Sequence, residues 1–191
     1  MEVVLRDSIT GRMTDEEFFR FCLENKNLRI ERNSNLEIII MSPVSSLSGL
    51  HSSEIFFQLA LWGRKDGRGL AFDSSTGFTL SDRSVLSPDA AWMLAEKWNR
   101  LTREDQDRFA PVCPDFIIEV VSKTDNVEHL KQKMATWIKN GAKLAWLVDP
   151  RNKKAFIYRP LSKEEELKNF TKMIGEGPVE GFELDLSGVI R

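Results

Sequence analysis

Two carboxylates sit where a carboxylate is costly to place. Glu119 lies within Asp115-Phe-Ile-Ile-Glu-Val-Val121, flanked almost wholly by apolar residues. Desolvating an unpaired carboxylate costs several kcal/mol, so Glu119 must be protonated, paired with an Arg or Lys across the sheet, or bound to a cation. Asp89 stands in Ser87-Pro88-Asp89-Ala90-Ala91-Trp92, a Pro-Asp step that opens an apolar run. Alone, that step is a turn or strand-start signal. The pair says more, because Mg²⁺ is usually held by one or two carboxylates together with phosphate oxygens and water. Two neighbouring strands can present such a pair, and a metal held that way can activate water for hydrolysis.

Other chemistries lack their residues. His51 and His129 are the only histidines, and neither has the spacing of a nucleophile triad or a paired zinc site. Cys22 and Cys113 each lie among apolar residues with no second ligand nearby, which argues against zinc or a redox pair and for a reducing cytoplasm. No G-x-x-x-x-G-K phosphate cradle occurs. Of five tryptophans, Trp62, Trp137 and Trp146 fall in apolar patterns and belong to the core, while Trp92 and Trp98 stay open.

The elements that must hold these residues read as follows. Thr14 before three acids caps a short helix over about 14–24. Two β-like runs around Asn33-Ser34-Asn35, closed by Pro43, make a hairpin whose job is scaffolding. A core-packed helix carries Leu50, Ile55, Phe56, Leu59 and Trp62 and ends at Gly63 or soon after. GLAFDSS, GFTLS and SPDAAWML are three short runs of a small sheet, and residues 96–109 are locally helical with Thr102 as cap. FIIEVV is a central strand buried on both faces. Asp125 can cap the next helix, which runs to about 139 with Val127, Leu130, Met134, Trp137 and Ile138 as its stripe. LAWLVDP and KAFIYRP make two more strands, and FELDL a last one. The expected fold is a mixed α/β arrangement, α+β-like, with helices on the faces of a central mixed sheet.

With 27 basic and 29 acidic residues, a net charge of −2 and a pI near 5.8, the chain lacks the basic surplus of a dedicated nucleic-acid binder. A metal held by carboxylates would supply positive charge locally. No apolar run approaches the ~20 residues of a spanning helix, and the amino terminus has no signal-peptide pattern, so a soluble protein is expected. At 191 residues the chain fits one domain: a helix and hairpin over 1–44, a core over 45–160 and a tail over 161–191.

The ordered set of a Pro88-Asp89 strand, Glu119-Val120-Val121-Ser122, Lys133-Met134, Gly141 and Trp146-Leu147-Val148-Asp149-Pro150 resembles a bacterial family of restriction-endonuclease-like proteins within the PD-(D/E)XK nuclease superfamily. The similarity runs from the amino-terminal hairpin through Met41-Ser42-Pro43 to Gly181-Phe182, and the inferred core order α-β-β-β-α-β also matches. The resemblance implies that Asp89 and Glu119 are the superfamily's two acidic positions, holding Mg²⁺ with Mn²⁺ as a substitute. It also implies that Glu54 is a third, helical carboxylate ligand, although the polar side of that helix would carry a Glu in any case. The activity implied is phosphodiester hydrolysis in DNA by a homodimer.

One position departs from the pattern: two residues after Glu119, where the superfamily name has Lys, stands Val121. Lys123 lies about 13 Å further along an extended strand. Lys131 and Lys133 flank the stripe of the following helix at roughly 70° and 90° from its centre, and periodicity does not choose between them. The family pattern sets a Lys directly before the Met, which selects Lys133 as the catalytic lysine. The displaced lysine and the acidic pI keep a second reading open, an inactive module of the same fold that binds nucleic acid or protein. A purely structural protein is the third, and it requires Glu119 to be ion-paired.

Overall fold

In a computed structural model, which describes residues 2–5 and 13–188, the chain builds two larger β-sheets and three hydrophobic clusters. Strand β1 (Glu2–Leu5) precedes helix α1 (Asp15–Glu24), where Thr14 and Glu17 form a reciprocal capping box. Strands β2 (Arg29–Arg32) and β3 (Ile38–Met41) are the expected hairpin, and β1 extends it on the far side of β3. Helix α2 (Ser46–Asp66) passes Gly63 and stops at Gly67, whose φ of 74° is the left-handed conformation that ends helices.

The three runs expected as one small sheet divide instead. Strand β4 (Gly69–Asp73) pairs with β7 (Ala90–Leu94), whereas β5 (Phe78–Thr79) pairs with β6 (Val85–Leu86), and β6 joins the amino-terminal hairpin through Arg32. The result is a five-stranded sheet in the order β1-β3-β2-β6-β5. The charged stretch after β7 folds as two short helices, α3 (Ala95–Asn99) and α4 (Arg103–Gln106), the second boxed by Thr102 and Asp105.

Strand β8 (Phe116–Val120) is buried at every residue, helix α5 (Val127–Lys139) follows, and β9 (Leu144–Asp149) returns parallel to β8. Asn126 caps α5 rather than Asp125, whose carboxylate accepts the Ser122 backbone N–H at 2.8 Å and closes the turn after β8. Strands β10 (Lys154–Tyr158) and β11 (Glu165–Lys168) complete a six-stranded sheet, β11-β10-β9-β8-β7-β4. A final pair, β12 (Lys172–Ile174) and β13 (Glu183–Asp185), contains the FELDL segment. The order α2-β4-β7-β8-α5-β9 is therefore α-β-β-β-α-β with a mixed sheet, as the sequence pattern implies.

Burial explains the layers. One face of the six-stranded sheet, with Trp92, Phe116 and Ile118, packs on Ile55 and Leu59 of α2 and on Phe182 and Leu184. The other, with Ala91, Met93, Ile117 and Leu147, packs on Met134 and Trp137 of α5. A third cluster seats Phe18 of α1 on Ile30, Ile38 and Val85 of the five-stranded sheet. Of the two tryptophans left open, Trp92 is a fully buried core residue and Trp98 is half-buried at the core's edge, packed on Phe72 at 5.3 Å. On α2 the buried positions are Ser48, His51, Ile55, Leu59 and Gly63, and Leu50, expected in the core, faces outward. Among the described residues no helix is long and apolar enough to cross a membrane.

Strand β4 can lie against β7 only because its first residue has no side chain. A Cβ on Gly69 would meet the Met93 carbonyl oxygen and the Trp92 ring, each at 2.3 Å. Gly69→Ala is expected to cost about 1–3 kcal/mol through forced displacement of a packed ring, read by urea denaturation; a loss no larger than that of Gly49→Ala, which meets nothing within 4 Å, contradicts this account.

Candidate functional site

The register of the central sheet brings the two acids together. β7 and β8 are antiparallel with Ala90 opposite Ile118, so one step further along both strands Asp89 stands opposite Glu119. Residues opposite one another share a sheet face, here the α5 face. The Val120 backbone N–H donates to Asp89 Oδ2 at 2.8 Å and fixes the Asp89 carboxylate at the strand end.

Helix α5 then delivers the counter-charge. Lys133 and Trp137 are one turn apart on the same side, and both reach the same oxygen: Lys133 Nζ lies 2.9 Å from Glu119 Oε1, and the Trp137 indole N–H donates to it at 3.1 Å. Lys133 also donates to Glu31 Oε1 at 2.9 Å and to the Ser87 carbonyl at 3.1 Å. Of the lysines that sequence left as alternatives, Lys131 turns away to Glu164 at 2.8 Å and over the Phe156 ring, and Lys123 is exposed.

Glu31, in a hairpin whose expected job is scaffolding, joins this cluster. It is as buried as Glu119, each 3% exposed, and accepts the Ser87 N–H at 2.9 Å besides its bond from Lys133. Alternation along β2 puts Ile30 and Arg32 on one side, and Arg29 and Glu31 on the other. The first side is core: Arg32 is fully buried, ion-paired to Asp15 and stacked over the Phe18 ring. The other side faces Asp89. A Glu between apolar and basic neighbours was the available signal, but only the pairing of this hairpin with the rest of the chain gives it a destination.

These residues floor a cleft of about 390 Å³, walled by the β2–β3 turn (Asn33, Ser34, Asn35), by Ser48 and Ser52 of α2, and by Thr124 and His129 at the start of α5. Glu54 is not among the lining residues. It accepts the Gln58 side-chain amide at 2.8 Å, and that same amide donates to the Asp185 carbonyl, which holds Glu54 on the β13 side of α2. His51 is buried on the core side of α2.

The electrostatics are unbalanced in favour of acid. Three carboxylates, Glu31, Asp89 and Glu119, face two cations, Lys133 and Arg29. Burial is the main force pushing the Glu119 carboxyl up to about 7, with Asp89 and Glu31 adding to it and Lys133 opposing. Burial also raises Asp89, against the Val120 N–H and the charges of Arg29 and Lys133. For Lys133 burial acts downward, but Glu119 and Glu31 more than offset it, so it remains an ammonium. Arg29 makes no ion pair among the described residues, its Nη2 only grazes the Ser87 carbonyl at 3.4 Å, and its buried Nε has no partner. Burial pushes the Cys113 thiol up to about 12 and the Cys22 thiol up to about 11.

The ion pair of Glu119 satisfies the requirement of a structural reading, yet Lys133 and Arg29 together leave one of the three carboxylates in excess at the floor of a cleft. Added positive charge there would relieve all three acids. Two hard oxygen donors on adjacent strands suit a cation that keeps most of its ligands as water or phosphate, as Mg²⁺ does, whereas no cluster of three or more His, Cys, Asp or Glu suited to enclosing a metal occurs among the described residues.

Comparison with known proteins follows the same line. Residues 15–187 match the family Uma2, described as "Putative restriction endonuclease". Among solved structures, a protein from Anabaena variabilis described as "a putative nuclease belonging to DUF820" superposes with a TM-score of 0.72 and 19% identity, over 93% of this chain and 97% of that one. At that identity the likeness is one of fold. No curated protein matches the chain.

The raised Glu119 carboxyl ties stability to pH. A carboxyl whose folded value lies above its unfolded value of 4.5 contributes stability that is complete below 4.5 and lost as pH rises through about 7. In chelator, wild type is expected to lose roughly 3 kcal/mol relative to Glu119→Gln between pH 4.5 and 8. Urea denaturation across that range checks it, and a difference that does not move with pH contradicts it.

Proposed function

The chain belongs to the Uma2 family, and on that premise we propose that it is a metal-dependent nuclease acting on DNA. Family and fold give a nuclease-like protein. The observation that carries the finer reading is the convergence, on one cleft floor, of Asp89 opposite Glu119 with Lys133 at 2.9 Å. Asp89 and Glu119 would hold Mg²⁺, or Mn²⁺ in its place. Bound there, such an ion polarises the scissile phosphate and lowers the pKa of a water.

The chain's own side chains supply the rest. Lys133 keeps its proton, so it serves as donor and counter-charge to the phosphate rather than as a base. Trp137 and Glu31 position that lysine and the Glu119 carboxylate. Arg29 is the lining cation with donors to spare, and its planar fork suits two oxygens of one phosphate.

One observation favours the alternative, a catalytically inactive module that binds nucleic acid or protein: the Lys133 ammonium lies between Glu31 and Glu119 and already offsets charge that a metal would otherwise meet.

The deciding experiment incubates the full chain with supercoiled plasmid and Mg²⁺ or Mn²⁺, beside a chelator control. Metal-dependent nicking is expected, reduced about 100-fold or more in Asp89→Asn, Glu119→Gln and Lys133→Met and unaffected in Glu54→Gln. Cleavage that persists in chelator or in Glu119→Gln sinks the nuclease reading, and its absence together with an absence of metal binding by calorimetry selects the inactive module. For Arg29→Met we expect a rise in KM with little change in kcat, partly recovered in Arg29→Lys; an unchanged KM removes Arg29 from substrate binding.

A further inference from the structure

The five-stranded sheet has two faces of different character. Strand alternation sends Ile30, Arg32 and Ile38 to the α1 side, where they are buried. The opposite face carries Arg29 and Glu31 of β2, Ile39 and Met41 of β3 and Val4 of β1, and all five line the cleft. Register makes them neighbours: Val4 lies opposite Ile39, Ile39 opposite Glu31, and Met41 opposite Arg29. The face is thus charged on β2, beside Asp89, and apolar toward the edge strand β1, with Val4 39% exposed and Ile39 and Met41 half-buried. Hydrolysis of a phosphodiester uses no apolar surface, so this part of the cleft is left to another part of the substrate.

We propose that the cleft takes one unpaired nucleotide of a DNA strand, with its base laid on Val4, Ile39 and Met41 and its phosphate between Arg29 and the acids Asp89 and Glu119. This names the substrate of the site described above and rests on the nuclease reading. The dimensions fit. Val4 and Ile39 are cross-strand partners, about 5 Å apart, and Met41 follows about 7 Å along β3 on the same face, which together make a surface the size of one nucleobase. Arg29 is the cross-strand partner of Met41, again about 5 Å away, so base and phosphate positions are separated by the span of a single nucleotide. A base inside a duplex is stacked and paired and shows only its edge in a groove. It cannot lie flat on a sheet face, whereas a base that is single-stranded or turned out of the helix can be held between apolar side chains.

Charge points the same way. A duplex is gripped through many phosphates by a spread of Lys and Arg, but the Lys and Arg that line this cleft are Arg29 and Lys133, against the five acids Glu31, Glu37, Asp89, Glu119 and Asp125. Two cations suit one phosphate, and the remaining affinity falls to the base, whose face stacks without regard to sequence. Ser34, Asn35 and Gln132 line the same cleft and offer donors and acceptors to a base edge without adding charge. Negative supercoiling favours opening of the helix, so a supercoiled plasmid supplies unpaired nucleotides to such a site.

Fluorescence anisotropy of the full chain with a labelled single-stranded oligonucleotide, and with the same strand in duplex form, tests this, with Ca²⁺ in place of Mg²⁺ to hold the strand uncut. The single strand is expected to bind about 10-fold or more tightly than the duplex. Ile39→Ser and Met41→Ser are each expected to weaken single-strand binding about 10-fold with unchanged circular dichroism and unchanged Mn²⁺ binding by calorimetry, because both side chains face the cleft and neither supplies an oxygen donor. Val4→Ser on the edge strand should act in the same direction, and Phe57→Ser, exposed but outside the cleft, should have no effect. Equal or tighter binding of the duplex, no binding of either form, or single-strand binding that both β3 substitutions leave intact overturns the proposal. Metal-dependent plasmid nicking alongside any of these results leaves the nuclease reading standing and removes only its unpaired substrate, so the two failures are distinguishable.

Discussion

The architecture depends on how one carboxylate is kept inside a sheet. Glu119 occupies the middle of the structure, in a strand buried at every position, where an unpaired charge would cost several kcal/mol. Its accommodation draws on Lys133 and Trp137 of α5, and Lys133 in turn ties in Glu31 of the amino-terminal hairpin and the Ser87 carbonyl before β7. Each of these polar contacts is also a tether between layers. The cluster thus specifies how α5 and the five-stranded sheet sit on the central sheet, while apolar packing supplies most of the free energy that holds them there.

The same cluster carries more acid than an ion-paired structural core requires. A purely structural solution would match charges one to one, and here three acids, Glu31, Asp89 and Glu119, meet two cations at the floor of a cleft. Burial is what chiefly raises both Glu119 and Asp89, with like charge adding to it, and raised carboxyls in a cleft are common at working sites. The acidic composition of the chain is consistent with this arrangement: the cleft is lined by serines, threonines, asparagines and acids, with Arg29 and Lys133 as its arginine and lysine cations.

Helix α2 shows how one element can serve two surfaces. Its glycine, serine and histidine positions fit closely against the sheet, where Gly63 lies under the Trp92 ring. Its bulkiest side chains are divided between the core and the outside, and for that reason its pattern is a poor guide to which side faces in. A helix apolar on both sides has no single stripe.

That ambiguity illustrates where sequence reading succeeded and where it stopped. The apolar run around Glu119, the Pro-Asp step, the caps at Thr14 and Thr102 and the core order α-β-β-β-α-β were all legible, because burial and capping leave a mark on neighbouring residues. The register that sets Asp89 opposite Glu119, the choice of Lys133 by geometry over Lys131 and Lys123, the place of Glu31 in the site and the exclusion of Glu54 from it were not. Each depends on a partner 30 to 130 residues away, as with Glu31 and Lys133, 102 positions apart, or Gln58 and Asp185, 127 apart. Local pattern records which residues leave water. Which of them meet is decided by how whole layers pack, and only the tertiary structure contains that.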